Sequence, residues 1–365
     1  MQMLVVPLVF FSLVTGAMSM GDTKKLGKIG VKTLVFYLFT TALAITLALL
    51  LASFIKPGVG IDLSKVSQAA QADPAKAVSI KDTVLNLIPT NPIQAMAEGN
   101  MLQIIFFALL VGIILANLGE KAHNVANIFE EFNDIMMDMT MIVMKFAPIG
   151  VFALITKTFA TLGLSAIFSM LKYMLTVVLG LILQLFLVYM VLLTIFAKAN
   201  PFKFLKKFFP VLGFAFSTSS SNATVPMNIN KLEELGVSRK ISSFTIPLGA
   251  TINMDGTAIM QGVAVVFAAN AYGMQLTPQN FLTVIAAATL ASVGTAGIPS
   301  VGLITLSMVF NSIGLPISAI AMIMGIDRIL DMIRTAINIT GDAVCTVIVA
   351  NSSGEEYFDK EKFNS

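Results

Sequence analysis

Ionisable and hydrogen-bonding side chains recur along one face of the last predicted helix, which runs from Gly325 to about Ala350. At about 100° per residue they fall within an arc of about 100°. These side chains are Asp327, Asp331, Arg334, Thr335, Asn338 and Asp342. Upstream, from Gly256 to Ile326, the chain contains no Asp, Glu, Lys or Arg. Charged groups in an apolar region must face a bundle interior or a wet cavity, so this polar face predicts a binding site.

Arg334 is the most informative single residue of that face. A guanidinium is permanently charged and prefers bidentate pairing with a carboxylate. It would form a structural ion pair with Asp331 or Asp327, three and seven residues earlier on the same helix. Alternatively, it clamps a carboxylate of an anionic substrate and leaves Asp331 to hold an ammonium group. The residues alone leave both interpretations open.

A second polar cluster, Asn253-Met-Asp-Gly-Thr257, interrupts an otherwise apolar helix. Adjacent residues that compete for backbone hydrogen bonds favour unwinding, which frees carbonyl oxygens. With Asp255 these oxygens form a hard site that suits an alkali cation and offers nothing to a transition metal. A kinked helix with a buried, hydrogen-bonded aspartate explains the motif equally well. Asn338 and Asp342 favour the cation site, because they would complete its shell.

Two uncharged stretches with polar centres predict re-entrant hairpins. The first centre is Phe216-Ser-Thr-Ser-Ser-Ser-Asn-Ala-Thr-Val-Pro226, and the second is Ala291-Ser-Val-Gly-Thr-Ala-Gly-Ile-Pro-Ser-Val-Gly302. Non-helical backbone at membrane depth is tolerated only inside protein or beside water. Each centre is followed by a polar cluster within an apolar helix. This weak internal repeat, with opposite entry sides, predicts a transporter binding site near the bilayer midplane.

The composition predicts a multi-span integral membrane protein. Hydrophobic residues make up 56% of the chain and charged residues 12%, whereas ordinary globular domains carry about twice that charge. The single Cys345 excludes an internal disulfide framework and a cysteine-rich metal site. The net charge of +3 gives no indication of a nucleic-acid partner. The positive-inside rule places basic clusters after the first span, after Ala197 and around Lys240 on the cytoplasmic side.

An enzymatic function is not expected. The serines at 217–221 would need a neighbouring base to act as nucleophiles, and no His or Lys lies near them in the apolar stretch. A passive channel is a further alternative, but the paired hairpins favour alternating access.

The motifs resemble those of the dicarboxylate/amino acid:cation symporter family, which includes archaeal aspartate transporters and animal excitatory amino acid transporters. The resemblance extends from Met1 to about Ala350. It is carried by Ser219-Ser-Ser-Asn-Ala-Thr-Val-Pro226, Asn253-Met-Asp-Gly-Thr257, Gly294-Thr-Ala-Gly-Ile-Pro299 and Asp331-Met-Ile-Arg-Thr-Ala-Ile-Asn338. It implies an all-α membrane protein with a glutamate-transporter-like fold, two re-entrant helical hairpins and inverted repeats. It also implies a lipid-embedded homotrimer in the cell membrane.

The resemblance further implies a division into a scaffold and a mobile transport domain. The implied parts are a scaffold at 1–32 (the second span of the family, with the first span absent), a transport-domain span at 33–55, an extracellular loop at 56–81, scaffold and trimerisation spans at 82–162, a transport-domain span at 163–200, the first hairpin at 201–240, a broken helix at 241–275, the second hairpin at 276–315, the substrate-binding last helix at 316–350 and a cytoplasmic tail at 351–365.

Site residues are carried over from the family motifs in the same way. Arg334 and Thr257 would hold the side-chain carboxylate of the substrate, and Asp331 its amino group. The full substrate set is Ser219, Ser221, Thr257, Ile298, Gly302, Asp331, Arg334, Thr335 and Asn338. One sodium would lie with Gly249, Asn253, Asn338 and Asp342, a second with Thr251, Ser292, Val293 and Thr295, and a third with Tyr37, Thr40, Thr41, Asn253 and Asp255. Many relatives carry a further arginine where this chain has Ser219 or Met332; here Arg328 lies one turn earlier.

The expected function is sodium-coupled uptake of aspartate or glutamate by an elevator-type mechanism, with sodium as coupling ion and no organic cofactor. The alternative is a C4-dicarboxylate symporter coupled to sodium or protons, which would need Arg334 but not Asp331.

Overall fold

The computed structural model describes residues 28–60, 88–146, 164–292, 301–354 and 357–364, with isolated positions between 6 and 18 and at 149, 152 and 156. Within these ranges every regular element is a helix, and one antiparallel bridge joins Val237 to Phe358. Five helical stretches are long and apolar enough to cross a membrane: Ile29–Ile55, Phe106–Met136, Phe168–Ala197, Arg239–Ala271 and Asp327–Asn351. The prediction of an all-α, multi-span membrane protein is therefore confirmed.

Short connections join most of the helices. In chain order they are α1 (Lys28–Ile55), α2 (Pro92–Glu98), α3 (Met101–Leu118), α4 (His123–Lys145), α5 (Leu164–Leu183), α6 (Pro201–Thr218), α7 (Ser221–Glu234), α8 (Arg239–Ile252), α9 (Asp255–Ala271), α10 (Pro278–Ser292), α11 (Val301–Ser312), α12 (Ile320–Met324), α13 (Asp327–Asn351) and α14 (Lys360–Asn364). Beyond α5 the helical path continues through two wider π-helical segments, Gln184–Met190 and Leu193–Ala197.

The first predicted hairpin consists of α6 and α7, which pack against each other. Only Ser219 and Ser220 separate the two helices. Ser219 adopts a left-handed conformation with φ of 52°, and the Ser220 side chain caps α7 by accepting from the backbone N–H of Ala223 at 3.2 Å. The cap lets α7 begin at once, so Asn222 to Pro226 are helical and the break is shorter than the serine-rich sequence suggested.

The second predicted hairpin corresponds to α10 and α11, which also pack together. The predicted tip lies outside the described residues, and with it Val293, Thr295 and Ile298. Re-entry of either hairpin into a membrane, and the inverted repeat that would relate them, stay predictions.

The buried centre of the structure is built by α9 and α13. All of α9 except Asn270 is buried, and α1 lies along it in the most extensive helix–helix contact among the described elements. Gly262 permits this approach, because a β-carbon there would lie 2.8 Å from Ala48 Cβ and 3.3 Å from the Ile45 carbonyl oxygen. On its other sides α13 packs against α6, α8 and α9. The polar face of α13 is therefore enclosed by helices.

Replacing Gly262 with leucine should separate α1 from α9 and destabilise the protein by about 1–3 kcal/mol or more. We expect a lower melting temperature of the detergent-purified protein. Because the chain contains no tryptophan, the melt is followed with a thiol-reactive dye or by light scattering. Gly213→Leu is the matched control, since a β-carbon at Gly213 meets no atom within 4 Å. Equal melting temperatures for the two variants would contradict this packing.

Candidate functional site

Arg334 lies at the centre of the polar face of α13 and is 0% exposed. Its Nη1 donates to Asp327 Oδ1 at 2.6 Å, and its Nη2 donates to Asp331 Oδ1 at 2.8 Å. Residues three and seven positions apart share a helix face, which is why one guanidinium reaches both carboxylates. The structure thus contains the ion pairs that the sequence offered as one of two interpretations. Arg328, the residue after Asp327, is exposed.

Polar atoms around this ion cluster are left without partners among the described residues. Arg334 Nε and Asp327 Oδ2 are buried and make no hydrogen bond. Buried polar atoms are normally paired, so these two atoms indicate a site that can accept further partners. Asp327 belongs to the polar face from which a binding site was predicted, and it was named as a possible partner of Arg334, but the substrate set implied by the family resemblance does not include it.

Two other predicted substrate residues lie beside the guanidinium. A β-carbon at Gly302 would be 3.0 Å from Thr257 Cγ2 and 3.5 Å from Arg334 Nη2. Gly302 therefore lets α11 approach the start of α9 and the centre of α13. Thr257, Gly302 and Arg334 thus lie together. All three belong to the substrate set that the family resemblance implies.

The predicted serine contacts lie at the tip of the first hairpin. Ser219 and Ser221 are both buried, and the Ser219 hydroxyl has no hydrogen-bond partner among the described residues. The hairpin is tied to α13 by Asn228, whose Nδ2 donates to the Ile339 carbonyl at 3.2 Å. A buried hydroxyl without a partner is a ready donor for an anionic group.

The break between α8 and α9 is limited to Asn253 and Met254, so Asp255, Gly256 and Thr257 open the next helix. The non-helical stretch is thus shorter than the predicted one, which covered the whole motif Asn253–Thr257. The physical reason is a cap from another helix: Asn338 Oδ1 accepts from the backbone N–H of Gly256 at 2.7 Å. This contact satisfies one of the free donors at the N-terminus of α9.

Asn253 connects the break to the polar face of α13. Its Nδ2 donates to the Asn338 carbonyl at 3.1 Å and to Asp342 Oδ1 at 2.8 Å, while its Oδ1 is buried without a partner. A β-carbon at Gly249 would lie 2.6 Å from Asp342 Cγ. The predicted first sodium set, Gly249, Asn253, Asn338 and Asp342, is thus one cluster of amide, carboxylate and carbonyl groups.

Asp255 occupies a separate polar cluster and is 0% exposed. Its Oδ1 accepts from Thr41 Oγ1 at 2.6 Å, and its Oδ2 accepts from Tyr189 Oη at 2.7 Å and Gln184 Nε2 at 3.0 Å. In the described part of the chain no Lys or Arg forms an ion pair with Asp255 or with Asp342. The carboxylate is therefore held by neutral donors, as the kinked-helix interpretation also required.

Sequence reasoning missed Gln184 and Tyr189. They are two of the few polar side chains of a largely apolar span, and that contrast was the available signal. Within the predicted third sodium set, Thr41 donates to Asp255, and the Thr40 side chain also lies within its reach. Tyr37 Oη donates to the Thr245 carbonyl at 3.0 Å, and Thr40 Oγ1 donates to the Tyr37 carbonyl at 3.2 Å.

The predicted second sodium set is only partly described. Thr251 Oγ1 donates to the Leu248 carbonyl at 2.9 Å and Ser292 Oγ to the Thr289 carbonyl at 2.7 Å, each within its own helix. The remaining members, Val293 and Thr295, lie outside the described residues.

Comparison with known proteins places the chain among transporters. Residues 1–352 match the sequence model of the sodium:dicarboxylate symporter family. The chain is 36% identical over 370 residues to a Bacillus subtilis protein named proton/glutamate-aspartate symporter, covering 100% of this chain and 88% of the relative. It is 35% identical over 367 residues to the proton/sodium-glutamate symport protein of Geobacillus stearothermophilus (99% and 87%). A C4-dicarboxylate transport protein of Bacillus subtilis is 32% identical over 370 residues (99% and 86%).

The close packing at Gly341 gives a direct test of the polar clusters. A β-carbon there would lie 2.6 Å from Asn253 Nδ2 and 2.7 Å from Tyr189 Cζ. Gly341→Ala should therefore displace both side chains and destabilise the protein by at least about 1 kcal/mol. A thermal melt of the purified protein measures this effect. Gly213→Ala, in open space on α6, should melt like the wild type, and indistinguishable melts for both variants would refute the geometry.

Proposed function

The chain belongs to the sodium:dicarboxylate symporter family, and we propose that it takes up an acidic amino acid, aspartate or glutamate, together with sodium ions. It is a multi-pass membrane symporter and not an enzyme. The observation that carries the substrate proposal is the buried Arg334, held between Asp327 and Asp331.

Charge balance favours an amino acid over a simple dicarboxylate. One guanidinium faces two carboxylates, so the ion cluster has one excess negative charge. An acidic amino acid brings a side-chain carboxylate for Arg334 and an ammonium for Asp331, so both of these residues would face an opposite charge, and the α-carboxylate is left to neutral donors. A C4-dicarboxylate brings no ammonium, so its second carboxylate would meet Asp331 as a like charge, which is costly in a buried site.

The remaining substrate contacts follow from the same proposal. Thr257 and Gly302, which lie beside Arg334, would line the pocket of the side-chain carboxylate. The α-carboxylate would bind Asn338, Thr335 and the serines of the first hairpin, where the Ser219 hydroxyl has no other partner among the described residues. Backbone at Ile298 completes the set as an expectation only.

Sodium is our proposal for the coupling ion. Support comes from the orphan Asn253 Oδ1 beside Asp342 and the Asn338 carbonyl, which are hard oxygen atoms that suit an alkali cation. The nearby Met254 sulfur accepts from the Asn338 side chain at 3.4 Å. Proton coupling would need only a titratable carboxylate such as Asp255. The names of the relatives include both ions, and the Asp255 experiment below distinguishes them.

The homotrimer, the division into scaffold and transport domain, and elevator-type movement are proposed from the family resemblance. One observation supports a lipid or subunit contact of the scaffold: α3 and α4 expose large apolar side chains along their length, among them Ile113, Ile114, Ile128 and Ile135.

Substrate selection by Arg334 can be tested by changing its shape without its charge. Arg334→Lys keeps a cation between Asp327 and Asp331 but removes the planar fork, so the protein should fold while aspartate affinity falls about 30-fold or more. Arg334→Cys should also lose acidic substrates and gain neutral ones such as serine. Uptake of aspartate, glutamate, succinate and serine into proteoliposomes measures these changes.

The matched control is Arg328→Lys, an exposed position one residue after Asp327, which should transport normally. An Arg334→Lys protein with wild-type aspartate affinity would exclude the clamp. Faster uptake of succinate than of aspartate by the wild type would favour the C4-dicarboxylate alternative.

Sodium coupling can be tested at Asp255, which has no cationic partner in the described structure. Asp255→Asn removes a negative charge but preserves shape, so the sodium concentration for half-maximal uptake should rise about tenfold, a change of about 1.4 kcal/mol. Asp134→Asn, exposed on α4, serves as control. Full wild-type uptake at zero sodium under an imposed pH gradient would establish proton coupling instead.

A further inference from the structure

The segment 357–364, here called the tail segment, folds back onto the first hairpin. Its two phenylalanines are buried, with Phe363 0% and Phe358 6% exposed. The Phe363 ring stacks on Phe204 of α6 with centroids 6.0 Å apart and planes at 8°, and it meets Phe358 edge-on at 5.4 Å. A segment rich in charged residues thus contributes two aromatic anchors to the core.

The turn between α7 and α8 is shaped to receive the tail segment. Ser238 N–H donates to the Tyr357 carbonyl at 2.9 Å, and Asp359 N–H donates to the Gly236 carbonyl at 2.8 Å. Gly236 has φ of 91°, and a β-carbon there would lie 2.7 Å from the Asp359 carbonyl oxygen. A side chain at position 236 would therefore disrupt both the backbone conformation and the approach of the tail.

The tail segment holds both arms of the hairpin at their open end. Lys207 of α6 donates to the Phe363 carbonyl at 3.2 Å, and Lys362 donates to the Glu233 carbonyl of α7 at 3.3 Å. Both contacts lie at the end of the hairpin opposite Ser219. The tail segment also follows closely on α13, which ends at Asn351. The base of the hairpin is thereby tied to the helix that carries Arg334.

The backbone conformation at the hairpin tip depends on how the rest of the hairpin is held. Ser219 holds a left-handed backbone with φ of 52°, a conformation that a non-glycine residue keeps only when its surroundings impose it. Asn228 supplies one restraint from the side of α13. The tail segment supplies another from the base, because it contacts Phe204 and Lys207 of α6 and the Glu233 carbonyl of α7.

We propose that the tail segment is a positioning element that keeps the first hairpin docked on α13, with Phe363 as its principal anchor. The consequence for uptake rests on the proposed function, since it assumes that Ser219 and Ser221 contact the substrate. When the anchor is lost, the docked hairpin is one of several populated conformations. The apparent substrate affinity then falls in proportion to the docked fraction.

Phe363→Ser tests the anchor, with Phe363→Leu as the conservative variant and Lys360→Ala, exposed on the same short helix, as control. We expect KM for aspartate to rise about tenfold in Phe363→Ser, if a tenth of the hairpins remain docked. Phe363→Leu and Lys360→Ala should stay within about twofold of the wild type. A role in folding alone would lower the amount of active protein and hence the maximal rate, not raise KM.

Thiol labelling of the hairpin gives a readout that needs no substrate. Thr224 is buried on α7, so Thr224→Cys in a Cys345→Ser background should label slowly and become at least several-fold faster when Phe363→Ser is added. The labelling experiment remains informative even if the protein does not transport an amino acid. Should Phe363→Ser fail to fold, Gly236→Ala can replace it. The new β-carbon would push against the Asp359 carbonyl of the tail segment and should accelerate labelling of Thr224→Cys in the same way. Unchanged KM together with unchanged labelling in a folded variant overturns the proposal.

Discussion

A guanidinium that water does not reach is the constraint around which this structure is arranged. Arg334 cannot shed its charge, so carboxylates must accompany it into the core, and helix geometry places Asp327 and Asp331 within reach. The ion cluster must in turn be shielded from lipid, which requires helices on every side of α13. The position of α6, α8 and α9 around that helix follows from this need, as does the need for Gly302 at the closest approach.

The remaining buried carboxylates are stabilised by a different device. Asp255 receives hydroxyl and amide donors from α1 and the π-helical segment after α5, and Asp342 receives the Asn253 amide. Neutral donors make a buried carboxylate tolerable but leave its charge uncompensated. One end of the polar face therefore holds a resident cation between its two carboxylates, whereas the carboxylates at the other end have no Lys or Arg partner among the described residues.

The sequence predicted the helical class, the multi-span membrane character and the grouping of the polar face, because helical periodicity and uncharged length are local properties. The exact positions at which the helices are interrupted were harder to predict from the sequence. Caps from Ser220 and from Asn338 shortened both predicted interruptions, and the second of these comes from a distant helix. Gln184 and Tyr189 were missed since isolated polar residues in a span show no period. The burial of Phe363 depends on Phe204, far earlier in the chain, and no local pattern indicates such a partner.

Asn338 belongs to both halves of the polar face. Its side chain caps α9 at Gly256, its carbonyl accepts from Asn253, and it lies one turn from Arg334 on α13. On the proposed binding sites, a cation held by Asn253 and an organic anion held by Arg334 would both use Asn338. Free energy is a function of state, so the two occupants must change each other's dissociation constants by one common factor. A single shared asparagine would in this way link the binding of the two solutes, and such linkage is one requirement for the downhill movement of one solute to perform work on another.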